Sequence, residues 1–217
     1  MSENFDIFYA LDPSKQSRII NAALTEFADK GFTRASTNTI AKNAKIGKGM
    51  LFYYFGSKET LFDFLCRYTL DFATSSYLAN FSPATNDFIK RYQAFTNAKQ
   101  KVVSDSPLPF AFLELFYRGD DLPPCIAKYN EEITALQNQI KELIYENIDY
   151  SLFRSDIDPE STVTYIKWLV DSYQNKLVEK FKHGEIDVNN ENLIREEVQR
   201  FELLCKDLRK LFYKEEE

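Results

Sequence analysis

The chain has 217 residues, 44% of them hydrophobic and 15% aromatic, and a formal net charge of −6. This length supports a sizeable core in one or two domains. Few glycines and prolines and no extended alternating pattern argue against a β-rich fold. No stretch approaches the roughly 18 apolar residues of a membrane span. The N-terminus, M-S-E-N-F-D, carries acids where a secretory leader carries positive charge, so a cytoplasmic protein with no membrane partner is expected.

Cys66, Cys125 and Cys205 are odd in number and scattered, which argues against a disulfide framework. The single histidine, His183, leaves no Cys/His zinc cluster and no convincing triad. No catalytic residue, metal or cofactor is expected, and the cysteines read as small buried hydrophobes.

Charge is unevenly spread. Residues 30–58 hold Lys30, Arg34, Lys42, Lys45, Lys48 and Lys58 and no acid. A basic block in an acidic chain is the footprint of an anion-binding surface; a plain solvated face is the alternative.

Residues 1–13 read as a loose N-terminal arm closing at Asp12-Pro13. Ser14 can cap a helix over 15–30, with Ile19, Ile20, Ala23 and Phe27 on one side, and Gly31 stands where a C-terminal cap belongs. Ser36 then caps a short helix carrying Ile40, Ala41 and Ala44. Lys45-Ile46-Gly47 separates it from another short helix over 48–55. Two short helices across a three-residue turn are the pattern of a helix-turn-helix. Gly56-Ser57 breaks the chain before a long helix over 57–80. Further helices are expected at 84–104, 108–118, 123–149, 159–183 and 190–213, so the fold class is all-α.

The helix 48–55 carries four consecutive rings, Phe52, Tyr53, Tyr54 and Phe55. Helical residues turn by about 100° each, so the four sweep about 300° and cannot share one core. Leu51 and Phe55, four apart, belong with Ile40, Ala41 and Ala44. Lys48, Gly49, Met50, Phe52, Tyr53 and Tyr54 spread over the remainder.

The last two helices are apolar on two sides. On 159–183, Val163, Ile166, Val170, Tyr173 and Leu177 form one stripe, with Tyr165, Trp168, Leu169 and Ser172 on another. On 190–213, Ile194, Val198, Phe201 and Leu208 align. Such helices must bury both sides. The expectation is a homodimer whose four-helix interface uses the stripes of Val163 and Ile194, with a wholly internal core as the alternative.

The segment from Ser14 to Leu61 resembles the DNA-binding domain of the TetR family of bacterial transcriptional regulators. The residues that carry it are I-I-N-A-A-L-T-E-F-A-D-K-G-F, then A-S-T-N-T-I-A-K-N-A, then K-I-G-K-G-M-L-F-Y-Y-F-G-S-K-E-T-L, in one register without a gap. Three positions depart from the family pattern. Lys45 replaces the usual turn glycine, Gly47 replaces the usual serine or threonine cap, and Phe52 replaces a frequent tyrosine.

The resemblance implies residues 1–13 as an arm, 14–60 as a three-helix helix-turn-helix head with its motif at 36–55, and 61–217 as a helical effector-binding and dimerisation domain. It implies that helix 48–55 enters the major groove of a double-stranded operator. Lys48 can reach a base edge or phosphate. Gly49 permits close approach, Met50 offers an apolar contact, Tyr53 offers a ring face and a hydroxyl, and Tyr54, also counted among the DNA contacts, packs under the helix with its hydroxyl at the edge. By family position Thr37 touches phosphate and Asn38 a base edge, and Lys58 joins charge to a helix N-terminus. It further implies a pocket for a small-molecule effector, for which Phe112, Phe116, Tyr165 and Trp168 are candidate walls. Arg91, Arg118 and Lys167 are candidate partners for an acidic effector. The expected function is a dimeric regulator, a repressor released from a palindromic operator by its effector. The alternatives are an all-helical metal-dependent enzyme using Asp120 and Asp121, and a regulator acting mainly through a protein partner.

Overall fold

The computed structural model describes residues 5–81, 84–118, 121–186 and 190–215. Its helices are α1 (Asp6–Tyr9), α2 (Pro13–Arg34), α3 (Thr37–Asn43), α4 (Lys48–Phe55), α5 (Lys58–Asn80), α6 (Phe88–Asp105), α7 (Pro107–Arg118), α8 (Asn130–Tyr145), α9 (Pro159–Lys182) and α10 (Glu191–Phe212). Tight 3₁₀ segments occupy Pro124–Tyr129 and Tyr150–Leu152. Among the described residues the β-type pairing is one isolated bridge, Phe153 to Tyr213, so the chain is all-α. Among them, too, no helix is long and apolar enough to cross a membrane. The chain divides into two compact units, one of Met1–Ala73 with Ser106–Glu131 and one of Thr74–Asp105 with Glu132–Glu217.

In the first unit, Asp12 caps α2 by accepting the Ser14 amide hydrogen at 2.9 Å, with Pro13 at the first helical position. Hydrogen bonding from the Ser14 side chain and then from its amide holds the Asp12 carboxyl below its ordinary pKa. The cap is therefore Asp12 rather than Ser14. Gly31 (φ +71°, ψ −179°) kinks α2 instead of ending it. Ser36 caps α3 by accepting from the Thr39 amide at 3.3 Å. Lys45 takes φ +56° in the turn, so it tolerates the left-handed conformation that glycine would adopt freely. Gly56 (φ +69°) ends α4, and Ser57 caps α5.

The core of this unit is aromatic. Phe27 and Phe62 meet edge to face at 5.0 Å, and Phe112 of α7 lies 4.9 Å from Phe62. The loose arm expected over 1–13 is corrected from Phe5 onward. Phe8 is fully buried, packed against Phe55 and Phe64 at 5.0 and 5.1 Å.

The second unit packs α6, α8, α9 and α10 around Phe88, Ile89, Tyr92, Ile144, Phe153, Ile166, Val170, Phe201, Cys205 and Leu208. Buried charge is fully partnered there. Asp87 accepts from Arg209 at 2.7 Å and from the Tyr213 hydroxyl at 3.0 Å. Burial alone would raise the Asp87 pKa, but the hydrogen bonds from Arg209, the Lys90 amide and Tyr213 outweigh it and hold the carboxyl low. Arg91 is also buried, donating to the carbonyls of Thr85 and Glu146 and to Asn86.

Candidate nucleic-acid interface

Helix α4 has two unlike faces. Leu51, Tyr54 and Phe55 are 2%, 6% and 3% exposed, whereas Met50, Phe52 and Tyr53 are 39%, 38% and 62% exposed. Lys48 is exposed beside them, its Nζ 5.9 Å from the Phe52 ring. A Cβ at Gly49 would meet nothing within 4 Å, so among the described residues nothing covers the helix at that position. Asn38, Lys42 and Lys45 are exposed as well, and Thr37 is half-buried. The result is a bare surface of cations and rings on a short helix, held across the turn from a second short helix.

Two expected contacts are corrected. Tyr54 packs under the helix as expected, but it is not left for DNA, because its ring is buried and its hydroxyl accepts from Lys15 Nζ at 3.2 Å. Successive helical residues at about 100° carry Tyr54 round to the side shared with Leu51 and Phe55. Lys58 is half-buried and engaged, donating to the Thr33 carbonyl at 3.0 Å with its Nζ 5.0 Å from the Phe32 ring. Sequence reasoning missed Lys15 and Phe8 as supports of α4. The signal available was Phe5 and Phe8, three apart and so on one side of a helical turn.

The four expected pocket walls are not brought together within either unit. Phe112 is a core residue of the first unit, wholly buried, with Phe116 6.2 Å from it. Tyr165 and Trp168 are exposed on α9 of the second, their rings 5.8 Å apart. Trp168, Asp171, Asn175, Lys176, Glu179 and His183 line an open groove of about 550 Å³, which lacks the enclosure of the cavities that bury small organic ligands. Arg91 cannot meet an effector, since carbonyls and Asn86 occupy its guanidinium. Lys167 lies 5.4 Å over the Tyr145 ring, and the Arg118 side chain lies outside the described residues.

The expected dimer stripe is likewise corrected. Ile166, Val170, Phe201 and Leu208 are 0–4% exposed in the second unit's own core, with Val163 and Tyr173 packed against them. Leu177, Ile194 and Val198 are half-buried. Tyr173 donates to the Glu197 carbonyl at 2.7 Å, which ties α9 to α10. The other stripe stands bare instead: Tyr165, Trp168 and Leu169 on α9, and Leu203 and Leu211 on α10, at 41%, 63%, 44%, 60% and 55% exposure.

Of the acids considered for an enzyme, Asp120 lies outside the described residues. The Asp121 carboxylate accepts from the Thr33 hydroxyl and amide, and those bonds, the hydroxyl's first, hold its pKa low. Among the described residues no three His, Cys, Asp or Glu side chains are grouped to hold a metal ion.

A short helix with a bare basic and aromatic face, set across a tight turn from a partner helix, is the reading helix of a helix-turn-helix DNA-binding head. Residues 19–64 match the family model described as bacterial regulatory proteins, tetR family. Over those residues the head is similar to the DNA-binding domain of that family of regulators.

The uncharacterised HTH-type regulator YuxN of Bacillus subtilis is 44% identical over 57 residues, which are 26% of this chain and 20% of YuxN. The chain thus spans about a fifth of that relative's length. The HTH-type transcriptional repressor KstR2 of Mycolicibacterium smegmatis is 24% identical over 157 residues, 71% of this chain and 75% of KstR2. The ketosteroid transcriptional regulator KstR2 of Mycobacterium tuberculosis shares the fold, with a TM-score of 0.61 at 17% identity over 94% of this chain and 98% of its own.

Proposed function

We propose that the protein is a homodimeric transcriptional regulator that binds a palindromic DNA operator through Lys48, Gly49, Met50 and Tyr53, supported by Thr37 and Asn38, and acts as a repressor released by a small-molecule effector. The observation that carries this reading is the two-faced α4, with Leu51, Tyr54 and Phe55 locked inside and Tyr53 62% exposed. Rings and cations left uncovered on a helix flanked by Lys42 and Lys45 suit a groove lined by phosphate and base edges.

The dimer reading rests on the bare stripe of Tyr165, Trp168 and Leu169, whose Tyr165 ring lies 6.3 Å from Phe212 of α10. An apolar band across two helices needs cover, and a second copy supplies it isologously. Two heads then read half-sites roughly 34 Å apart, one turn of the duplex. An effector that favours another spacing lowers operator affinity by population shift.

The test is titration of the protein into duplexes that it selects from a random pool. Binding should fall steeply with salt, as phosphate neutralisation releases counterions. Joint replacement of Lys48 and Tyr53 by alanine should abolish the retarded band while leaving the oligomeric state unchanged. Unaltered retardation by that double variant would overturn the assignment of the reading face.

A further inference from the structure

We infer that α1 is a positioning device for the recognition helix, with Phe8 as its central residue. This inference rests on the DNA-binding reading above and names a residue that acts behind the reading face.

Helix α4 is weakly fixed by its own sequence. It has eight residues, a Gly47 cap with no side-chain hydrogen bond, and a Gly56 terminus at φ +69°. So short a helix is not stable alone in water, and its pose is set by what packs behind it. Much of that packing comes from the arm. The Phe8 ring, wholly buried, lies 5.0 Å from Phe55, 6.3 Å from Tyr54 and 5.1 Å from Phe64. Phe5 adds contacts at 5.9 Å to Phe55 and 5.0 Å to Phe64.

Phe55 and Tyr54 belong to α4, and Phe64 belongs to α5. The arm therefore fills the space between the reading helix and the long helix that follows it. Tilted and edge-on ring contacts of this kind have preferred geometries, so they fix orientation as well as bury area.

The arm is itself tied down. Gln16 Nε2 donates to the Tyr9 and Leu11 carbonyls at 3.0 and 2.8 Å. One residue earlier, Lys15 donates to the Tyr54 hydroxyl. The N-terminal turn of α2 thus holds both the arm and the inner edge of α4.

Base reading needs side chains held within about 0.5 Å, whereas phosphate attraction tolerates looser placement. Loosening Phe8 should therefore cost sequence discrimination more than general affinity for DNA. A residue that only stabilised the fold would leave both unchanged in the folded protein.

The unaltered 217-residue chain first selects a duplex from a random pool of about 30 base pairs, long enough for two half-sites one helical turn apart. That duplex and a shuffled version are titrated into wild type, Phe8→Leu and Phe8→Ala, with folding checked by circular dichroism. Phe8→Leu keeps apolar bulk and is the milder change. The selected-to-shuffled affinity ratio should fall about tenfold or more in Phe8→Ala and by a smaller factor in Phe8→Leu, while shuffled-duplex affinity stays within about twofold. Amide exchange should quicken over Leu51 to Phe55 and not in α10. An undiminished ratio in the folded variants, or equal loss on both duplexes, overturns the inference. If Phe8→Ala does not fold, the ratio in Phe8→Leu decides alone. If the wild type selects no sequence at all, the DNA-binding reading itself fails, an outcome distinct from intact selection with indifferent Phe8 variants.

Discussion

The carboxylate of Asp121 fills the space that a side chain at Gly31 would need, and it accepts the Thr33 amide hydrogen at 2.9 Å. Residue 31 also sits at φ +71°, ψ −179°, a region open essentially to glycine alone. Two separate constraints thus meet at one position, the backbone conformation and the acid that caps the turn beyond the kink. Gly31→Ala should destabilise the first unit by about 1–3 kcal/mol from backbone strain, and more from displacing Asp121. The double variant with Asp121→Ala separates the two. Alanine at 31 should cost less in that background, leaving the backbone strain alone, and chemical denaturation of the four proteins measures the coupling.

Asp87 gives a pH dependence whose sign follows from its environment. Its folded pKa is depressed below the ordinary 3.8, so it contributes stability that is fully present above that value. The contribution is lost as pH falls through the lower folded pKa, below about pH 4. Asp87→Asn leaves the Arg209 guanidinium facing a neutral partner and should cost about 3 kcal/mol at neutral pH. It should also flatten the acid limb of stability below pH 4. Denaturant unfolding at pH 7 and melts from neutral to acid pH check both, and an unchanged acid limb would refute the assignment.

The exposed stripe on α9 and α10 is testable through assembly. Trp168→Glu together with Leu203→Glu puts charges where a second copy would have to desolvate them. The pair should shift the sedimentation of the protein from dimer to monomer at micromolar concentration, with helix content retained. The core stripe predicts the opposite signature, for Ile166→Glu should unfold the second unit before it dissociates anything.

The two stripes show what sequence could and could not decide. Helical periodicity identified both apolar faces of α9, and it placed α3, the turn and α4 almost to the residue. It could not choose which face meets the chain's own core, since Val163–Ile166–Val170 and Tyr165–Trp168–Ser172 have the same spacing. That choice depends on α6 and α8, whose packing is a tertiary fact. The packing of Tyr54 was legible, but the use of its hydroxyl was not, for a related reason. A tyrosine in a reading helix fits groove or core alike, and the decision came from Lys15, far away in sequence. Buried arginine was equally opaque. Arg91 resembles any surface cation until the carbonyls of Thr85 and Glu146 close around it. The arm was missed because its helix has four residues, too few to show a period, and Phe8 acquires meaning only beside Phe55 and Phe64.

Lys45 sets two effects against each other in the turn of the DNA-binding motif. At φ +56° its Cβ crowds the following carbonyl, a cost of about 1–2 kcal/mol that glycine does not bear. Glycine in turn gives the unfolded chain more freedom, which offsets part of the gain. Lys45→Gly should therefore stabilise the first unit by about 0.5–1 kcal/mol, raising its melting midpoint. The same change removes one exposed cation from the basic block. If Lys45 neutralises a phosphate in the complex, the slope of log affinity against log salt should drop by about one. Stability and slope are measured on the same protein, and a variant less stable than wild type would contradict the strain assigned to this turn.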